Sequence, residues 1–227
     1  MGPADRKRVF RCSYRFEKKL YSQGFTRIAG VDEVGRGALC GPVVAAAVMF
    51  HTRPKIRGIN DSKRLTAEER EKLKPRILKE AVAVGIGIVS AEEIDRINIH
   101  QATLKAMRIA LDQLTPTPDF ILVDGTRVHG LKAASLNLIK GDARCITIAA
   151  ASIVAKVTRD NLLQSYASMY PMYDWAHNKG YSCVNHFKGL AEFGPISFHR
   201  RSFRPVQVDA QLSLLDTEEF IKEITTS

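Results

Sequence analysis

Ile28-Ala29-Gly30-Val31-Asp32-Glu33-Val34-Gly35-Arg36-Gly37 is the stretch on which the reading of this chain turns. Ile28 to Val31 are mostly apolar and β-branched, which reads as a strand. Two carboxylates follow, then an arginine between glycines. Carboxylate oxygens are hard ligands of the kind Mg²⁺ and Mn²⁺ prefer. Glycine lets a backbone approach a substrate closely and adopts positive φ without steric cost. A strand running out into an ordinary solvated turn has the same look, so the stretch needs support from elsewhere. Neighbouring side chains on a strand also point to opposite faces. For Asp32 and Glu33 to serve one site, the strand must bend or one residue must act through its backbone carbonyl.

The chain has 227 residues, 45% of them hydrophobic, and a formal net charge of +10. That is enough for one large domain or two small ones, and it excludes wholesale disorder. The positive excess favours a polyanionic partner, nucleic acid before a membrane surface. No apolar run is long enough to span a bilayer, so no membrane contact is expected. The basic N-terminus lacks the apolar stretch of a secretory signal. Arg6 stands where a myristoylation signal needs Ser or Thr. Cys12, Cys40, Cys145 and Cys183 are far apart and form no CxxC pair. Neither zinc nor a disulfide framework is expected, and reduced thiols in the cytoplasm are the simplest account.

Outward from the acidic stretch, residues 1–24 read as a basic segment and a short helix, Cys12 to Gln23. Residues 25–206 read as the main body and 207–227 as a tail. Val43 to Phe50 is a continuous apolar run, short enough for a buried strand. Thr66 and Glu69 form a capping box opening a helix that runs to about Ala83. Val84 to Ser90, Phe120 to Val123 and Leu136 to Ile139 read as further strands. A helix with its main body over Ile97 to Leu114 separates two of them, and a long helix covers Ala143 to Ser168. Tyr170 to Gly180 reads as an aromatic loop, and His186 to Phe193 as a helix. Little chain separates the first two strands, whereas helices separate the later ones. The pattern predicts an α/β fold: a mixed five-stranded sheet, antiparallel in its first part and parallel in its second, flanked by helices, with a helical C-terminal part.

Two more acids fall where sites are built. Asp124 ends a buried strand, at the crevice where open α/β sheets bind ligands, although Asp-Gly is also a common hairpin turn. Asp142 stands just before the long helix, where Asp is a favoured N-cap; capping and metal binding are compatible. Gathered together, Asp32, Glu33, Asp124 and Asp142 would repel strongly without cations. Two divalent ions about 4 Å apart would neutralise them, activate a water on one side of a phosphodiester and stabilise the leaving oxygen on the other.

These residues carry a resemblance. Gly30 to Gly37, Asp61-Ser62-Lys63-Arg64-Leu65, Leu122-Val123-Asp124-Gly125, Lys140-Gly141-Asp142, Ala149 to Asp160, Gly180-Tyr181 with His186, and His199 to Phe203 resemble the motifs of bacterial ribonuclease HII, in family order. The resemblance covers about residues 25 to 206. It implies an RNase H-like fold, cleavage of the RNA strand of RNA–DNA hybrids, and incision 5′ of single ribonucleotides embedded in duplex DNA. It puts the metal ligands, for two Mg²⁺ or Mn²⁺ ions, on Asp32, Glu33, Asp124 and Asp142. It puts the loop that reads the ribose 2′-hydroxyl on Gly35, Arg36 and Gly37, and the stacking tyrosine on Tyr181. The 2′-hydroxyl is what separates RNA from DNA at one nucleotide. The chain departs from the family at Ser182 and Cys183, where Gly or Pro and then Thr are usual; Cys is a much poorer hydrogen-bonding group than Thr.

Lys63 and Arg36 read as phosphate contacts or as plain surface cations. His186 and His199 read as hydrogen-bonded structural groups, since two ions need no histidine base. Asp160 reads as a helix contact or a partner that orients Arg159. Two rival functions stand beside the nuclease. One is a ribonuclease HIII-like enzyme, which lacks the Gly-Arg-Gly loop and has an extra N-terminal domain. The other is a non-catalytic basic nucleic-acid-binding domain. A monomer is expected. In the tail, Gln211-Leu212-Ser213-Leu214-Leu215 resembles the peptide by which bacterial DNA-repair proteins dock on the sliding clamp. The reading weighed ahead of it has these leucines pack the start of a helix from Asp216 to Ile224.

Overall fold

A computed structural model describes residues 12–125, 127–204 and 206. Residues 1–11 and both readings of the tail lie outside them. The strands are β1 (Ile28–Val34), β2 (Val43–Met49), β3 (Ala83–Val89), β4 (Phe120–Asp124) and β5 (Ala134–Leu138). They form one sheet in the order β3-β2-β1-β4-β5. β1 pairs antiparallel with β2 and parallel with β4; β2–β3 is antiparallel and β4–β5 parallel. This is the mixed sheet expected from the sequence.

β2 is buried along its whole length, which explains its unbroken apolar run. Alternate residues serve opposite layers. Val43, Ala45, Ala47 and Met49 pack with Ile94 of α3 (Ala91–Ile97) and Met107 of α4 (Ile99–Asp112). Val44, Ala46 and Val48 pack with Ile77 of α2 (Ala67–Glu80) and Ile153 of α5 (Ile146–Ala167). Along β1 and β4 the same alternation sends Val31, Ile121 and Val123 into the α4 layer and Ile28 and Leu122 toward Ile148 of α5. Gly30 is required here. A Cβ on it would lie 2.5 Å from the backbone nitrogen of Ile148, so α5 rests directly on β1.

The capping box at Thr66 and Glu69 is present. Other boundaries differ from expectation for local reasons. The helix expected around Ile97 is two helices, broken at Asn98, whose φ is 67° and whose side chain caps α4 through Gln101 N–H. The long helix starts at Ile146 rather than Ala143, so Asp142 is not its N-cap. The aromatic loop holds a turn of 3₁₀ helix, Pro171–Tyr173, and α6 (Trp175–Asn178). What organises it is packing of Tyr173 and Trp175 with Leu163 and Phe198, not periodicity. α7 (Val184–Phe193) follows. At the β3 edge, the Gln113 amide donates to the Ile86 carbonyl at 2.8 Å and accepts from its N–H at 3.1 Å, which occupies an edge that could pair with another chain.

α1 (Arg15–Ser22) closes one end of the body. The N-cap of α5, Cys145, makes no side-chain cap bond. Glu17 supplies the cap from α1: one buried carboxylate oxygen accepts from Thr147 N–H at 2.9 Å, the Thr147 hydroxyl at 2.7 Å and the Cys145 thiol at 3.1 Å. Negative charge at a helix N-terminus is favourable. Glu17→Ala removes the cap and opens a void, and is expected to cost on the order of 2 kcal/mol. Glu17→Gln keeps an acceptor and should cost less. Urea unfolding midpoints rank the two; equal midpoints would refute the cap.

Candidate active site

Residues about ninety or more positions apart in sequence, Asp32 against Asp124 and Asp142, meet where β1 and β4 lie parallel. After β1 the chain turns one way into β2, and β4 arrives on the other side. This is the switch point at which open α/β sheets hold ligands. Val31 pairs with Val123 in register, so Asp32 and Asp124 follow side by side, both on the α5 face. The turn before α5 adds Asp142. One carboxylate oxygen from each of the three lies within 4.8 Å of the others.

Each carboxylate is fixed locally. Asp32 accepts from Glu33 N–H at 2.8 Å and from the Ser152 hydroxyl, which in turn contacts the Ser62 hydroxyl at 2.9 Å. Asp124 accepts from Gly141 N–H, tying β4 to the turn that holds Asp142. Asp142 accepts from its neighbour Ala143 N–H at 2.8 Å. Glu33 is separated from the three. β1 continues straight through it, so its side chain leaves by the opposite face and meets Arg36 at 3.3 Å.

Burial pushes the Asp32 carboxyl well above its ordinary range, and the charges of Glu33 and Asp124 add to this. Asp124 and Asp142 are also raised, first by burial. Glu33 is raised because burial outweighs Arg36. Lys63 loses by partial burial but gains more from Asp142, Asp32, Asp61 and Asp124, so its pKa rises; its Nζ lies 3.6 Å from Asp142. The site is thus short of positive charge and offers only oxygen donors. That donor set fits hard divalent cations and not zinc or copper. Asp61 was not singled out as a site residue in the sequence, yet it acts on Asp124 and Asp142. Its motif was the available signal.

Gly35, Arg36 and Gly37 follow β1. Gly35 has φ of 90°, and a Cβ there would lie 2.2 Å from Arg159 Nε, so the fold itself demands glycine. Gly37 has no atom within 4 Å of an added Cβ and is exposed; no internal contact accounts for it. Tyr181 is half-buried, with Arg159 Cζ 5.1 Å and Lys156 Nζ 5.5 Å from its ring centroid. Asp160 pairs with Lys156 at 2.7 Å and lies 4.0 Å from Arg70; Arg159 takes its hydrogen bonds elsewhere.

A second group of potential ligands, Cys40, His186 and His199, is buried behind the loop. Hydrogen-bond directions argue against a metal there. His186 Nδ1–H donates to the Tyr181 carbonyl at 2.9 Å, so its Nε2 accepts, from Trp175 at 3.3 Å and His199 at 3.1 Å. His199 Nδ1 accepts from Ile196 N–H at 3.1 Å. A cation on His199 Nε2 would need a proton on Nδ1, where that N–H already points. Burial lowers both pKa values, His199 to about 4, so the pair is neutral at pH 7. The structural reading of both histidines holds. Cys183 caps α7: its sulfur accepts from His186 N–H at 3.4 Å.

A family model for ribonuclease HII matches residues 29–206. A ribonuclease HII of Listeria monocytogenes serotype 4b is 53% identical over 193 residues, covering 85% of this chain and 74% of that protein. The ribonuclease H2 of Pyrococcus horikoshii OT3 has a similar structure, with a TM-score of 0.69 at 25% identity, covering 87% of this chain and 99% of that one. An Archaeoglobus fulgidus RNase HII, solved in complex with PCNA, superposes with a TM-score of 0.68 at 25% identity, over 84% of this chain and 99% of that one.

The raised carboxyls fix a sign. A carboxyl whose folded pKa lies above the ordinary 3.8 stabilises the fold fully only below that pH, and loses the contribution as pH rises through the folded value. At neutral pH without divalent ions the acids therefore oppose folding. Asp124→Asn keeps the acceptor for Gly141 and removes a charge. It should raise Tm in EDTA by about 2–4 °C; a lower Tm would contradict the electrostatic account. Sulfur is a weak acceptor, so Cys183→Thr should improve the α7 cap by about 0.5–1 kcal/mol, read as a shift in the urea midpoint.

Proposed function

Because the chain belongs to the ribonuclease HII family and is a ribonuclease H endonuclease, we propose that it cleaves the RNA strand of RNA–DNA hybrids and incises 5′ of single ribonucleotides in duplex DNA. The observation that carries this is the convergence of Asp32, Asp124 and Asp142 at the sheet's switch point, next to a glycine loop whose exposed member has no internal role. The match to ribonuclease HII sets aside the ribonuclease HIII-like alternative. A non-catalytic binding domain would have no use for buried acids that oppose its own folding.

The residues divide the work. Asp32, Asp124 and Asp142 would hold divalent cations, Mg²⁺ or Mn²⁺, with Glu33 adding negative charge from the other face and holding Arg36. Bound there, two such ions supply Lewis-acid activation of water and charge stabilisation of the leaving oxygen. Lys63, exposed and already beside Asp142, would move its ammonium onto a substrate phosphate. The backbone of Gly35 to Gly37 would meet the ribose 2′-hydroxyl, with Tyr181 stacking beneath the sugar or base. The Gln211 to Leu215 segment is the part of this chain to compare with clamp-binding peptides.

A labelled duplex with one ribonucleotide tests the reading. With Mg²⁺ or Mn²⁺, incision on the 5′ side leaving a 3′-hydroxyl is expected, and none in EDTA. Asp124→Asn should lose roughly 10²-fold or more. Gly37→Ala should melt like the parent, because its methyl meets nothing within 4 Å, yet cleave at least about tenfold more slowly, since a poorly placed reacting group loses on this scale. Parental cleavage by Gly37→Ala would remove the loop from the site.

A further inference from the structure

Two arginines lie wholly buried beneath the glycine loop, and neither forms an ion pair among the described residues. Arg159, on α5, donates to the carbonyls of Pro42 at 3.0 Å, Cys40 at 3.0 Å and Lys179 at 2.8 Å. Arg200 donates to the carbonyls of Gly41 at 3.0 Å and Arg36 at 2.9 Å, and its remaining nitrogen, Nη2, has no hydrogen-bond partner. Five charge-assisted bonds therefore hold two short segments, Arg36 to Pro42 and the residues just before Tyr181. Arg159 also fills the space a Gly35 side chain would need and lies against the Tyr181 ring.

The arrangement is costly as a purely structural device. Two like charges are buried together with no carboxylate touching them. Burial, and then Arg159, pull the Arg200 pKa down to about 9. Neutral donors would hold the carbonyls without that penalty. What guanidinium offers is a rigid fork that fixes several acceptors at once. It also places positive charge, flanked by the Tyr181 and Phe203 rings and not by a carboxylate in contact, under the loop proposed to meet the substrate. Arg159 lies against both Gly35 and the Tyr181 ring, and Arg200 holds the Arg36 carbonyl. The two guanidinium groups together therefore tie the glycine loop to the segment that carries Tyr181.

We propose that Arg159 and Arg200 are positioning residues that fix the glycine loop relative to Tyr181, and so determine how fast a correctly bound ribonucleotide is cleaved. The inference rests on the ribose-reading roles proposed above. It predicts a loss in turnover rather than in duplex binding, because phosphate contacts elsewhere are untouched.

The test uses the full chain and a duplex with one ribonucleotide. Arg159→Lys and Arg200→Lys keep the charge but cannot span the same carbonyls. Each is expected to lower kcat at least about tenfold with KM and duplex affinity within about threefold. The double variant should be little worse than the poorer single one, because both brace the same segment. Gln113→Ala, which opens the remote β3 edge, serves as a destabilised control that should keep kcat. Arg159→Gln and Arg200→Gln stand in if a lysine variant fails to fold. Unchanged kcat in folded variants, additive losses, or a kcat that tracks Tm across all variants including the control would overturn the proposal. So would failure of all four single variants to fold, which would assign the pair to stability. If the parent itself does not incise the single ribonucleotide, the functional reading fails and this inference falls with it. If the parent incises and the lysine variants match it, only the brace fails.

Discussion

The mutual repulsion of Asp32, Asp124 and Asp142 is what the rest of the structure has to contain. Carboxylates within 4.8 Å of one another repel, and removal from water strengthens the effect. The fold holds them there through backbone pairing. Two come from adjacent parallel strands, and the third from a turn stapled to one of those strands through Gly141 N–H. α5 lies flat against β1 because Gly30 has no side chain, which brings Ser152 to Asp32. The stability lost at this point has to come from the two apolar layers. A chain with a net charge of +10 thus carries, at its working point, a buried local excess of negative charge.

Much of this could be read from the residues. β2 is a buried apolar run, β1 a buried strand that runs into acids, and Asp124 sits at a strand end. The sheet's mixed character follows from which strands have helices between them. The separation of Glu33 from Asp32 was implicit in strand alternation. Their adjacency in sequence pulled toward one cluster, but the pleat places them on opposite faces. Arg159 and Arg200 were not legible as buried groups. Arg200 stands in a basic stretch that looks solvated and Arg159 beside Asp160 on a helix, where an ion pair is the simpler expectation; what buries them is a set of loop carbonyls distant in sequence. α6 escaped for a similar reason: one turn of helix held by aromatic packing leaves no periodic trace.

The interior behind the loop is polar but closed. His186 and His199 each use both ring nitrogens on fixed partners, and Trp175 donates into the same pair. Such a network holds a single tautomer of each ring and gives the segment after Tyr181 a defined floor. Cys183 starts the next helix from that floor with a weaker acceptor than a threonine hydroxyl would provide.

α5 carries Ser152, which meets Asp32, and seven residues later Arg159, which meets the loop and Tyr181. Seven residues are about two turns, or roughly 10 Å along the axis. The spacing between the acids and the ribose-reading surface is therefore gauged by helical pitch, with no flexible segment between them. A helix is a stiff ruler, but its graduations also rotate. One residue inserted between Ser152 and Arg159 would lengthen the gauge by only about 1.5 Å while turning one end about 100° against the other. The interval between these two residues is for that reason not free to change length.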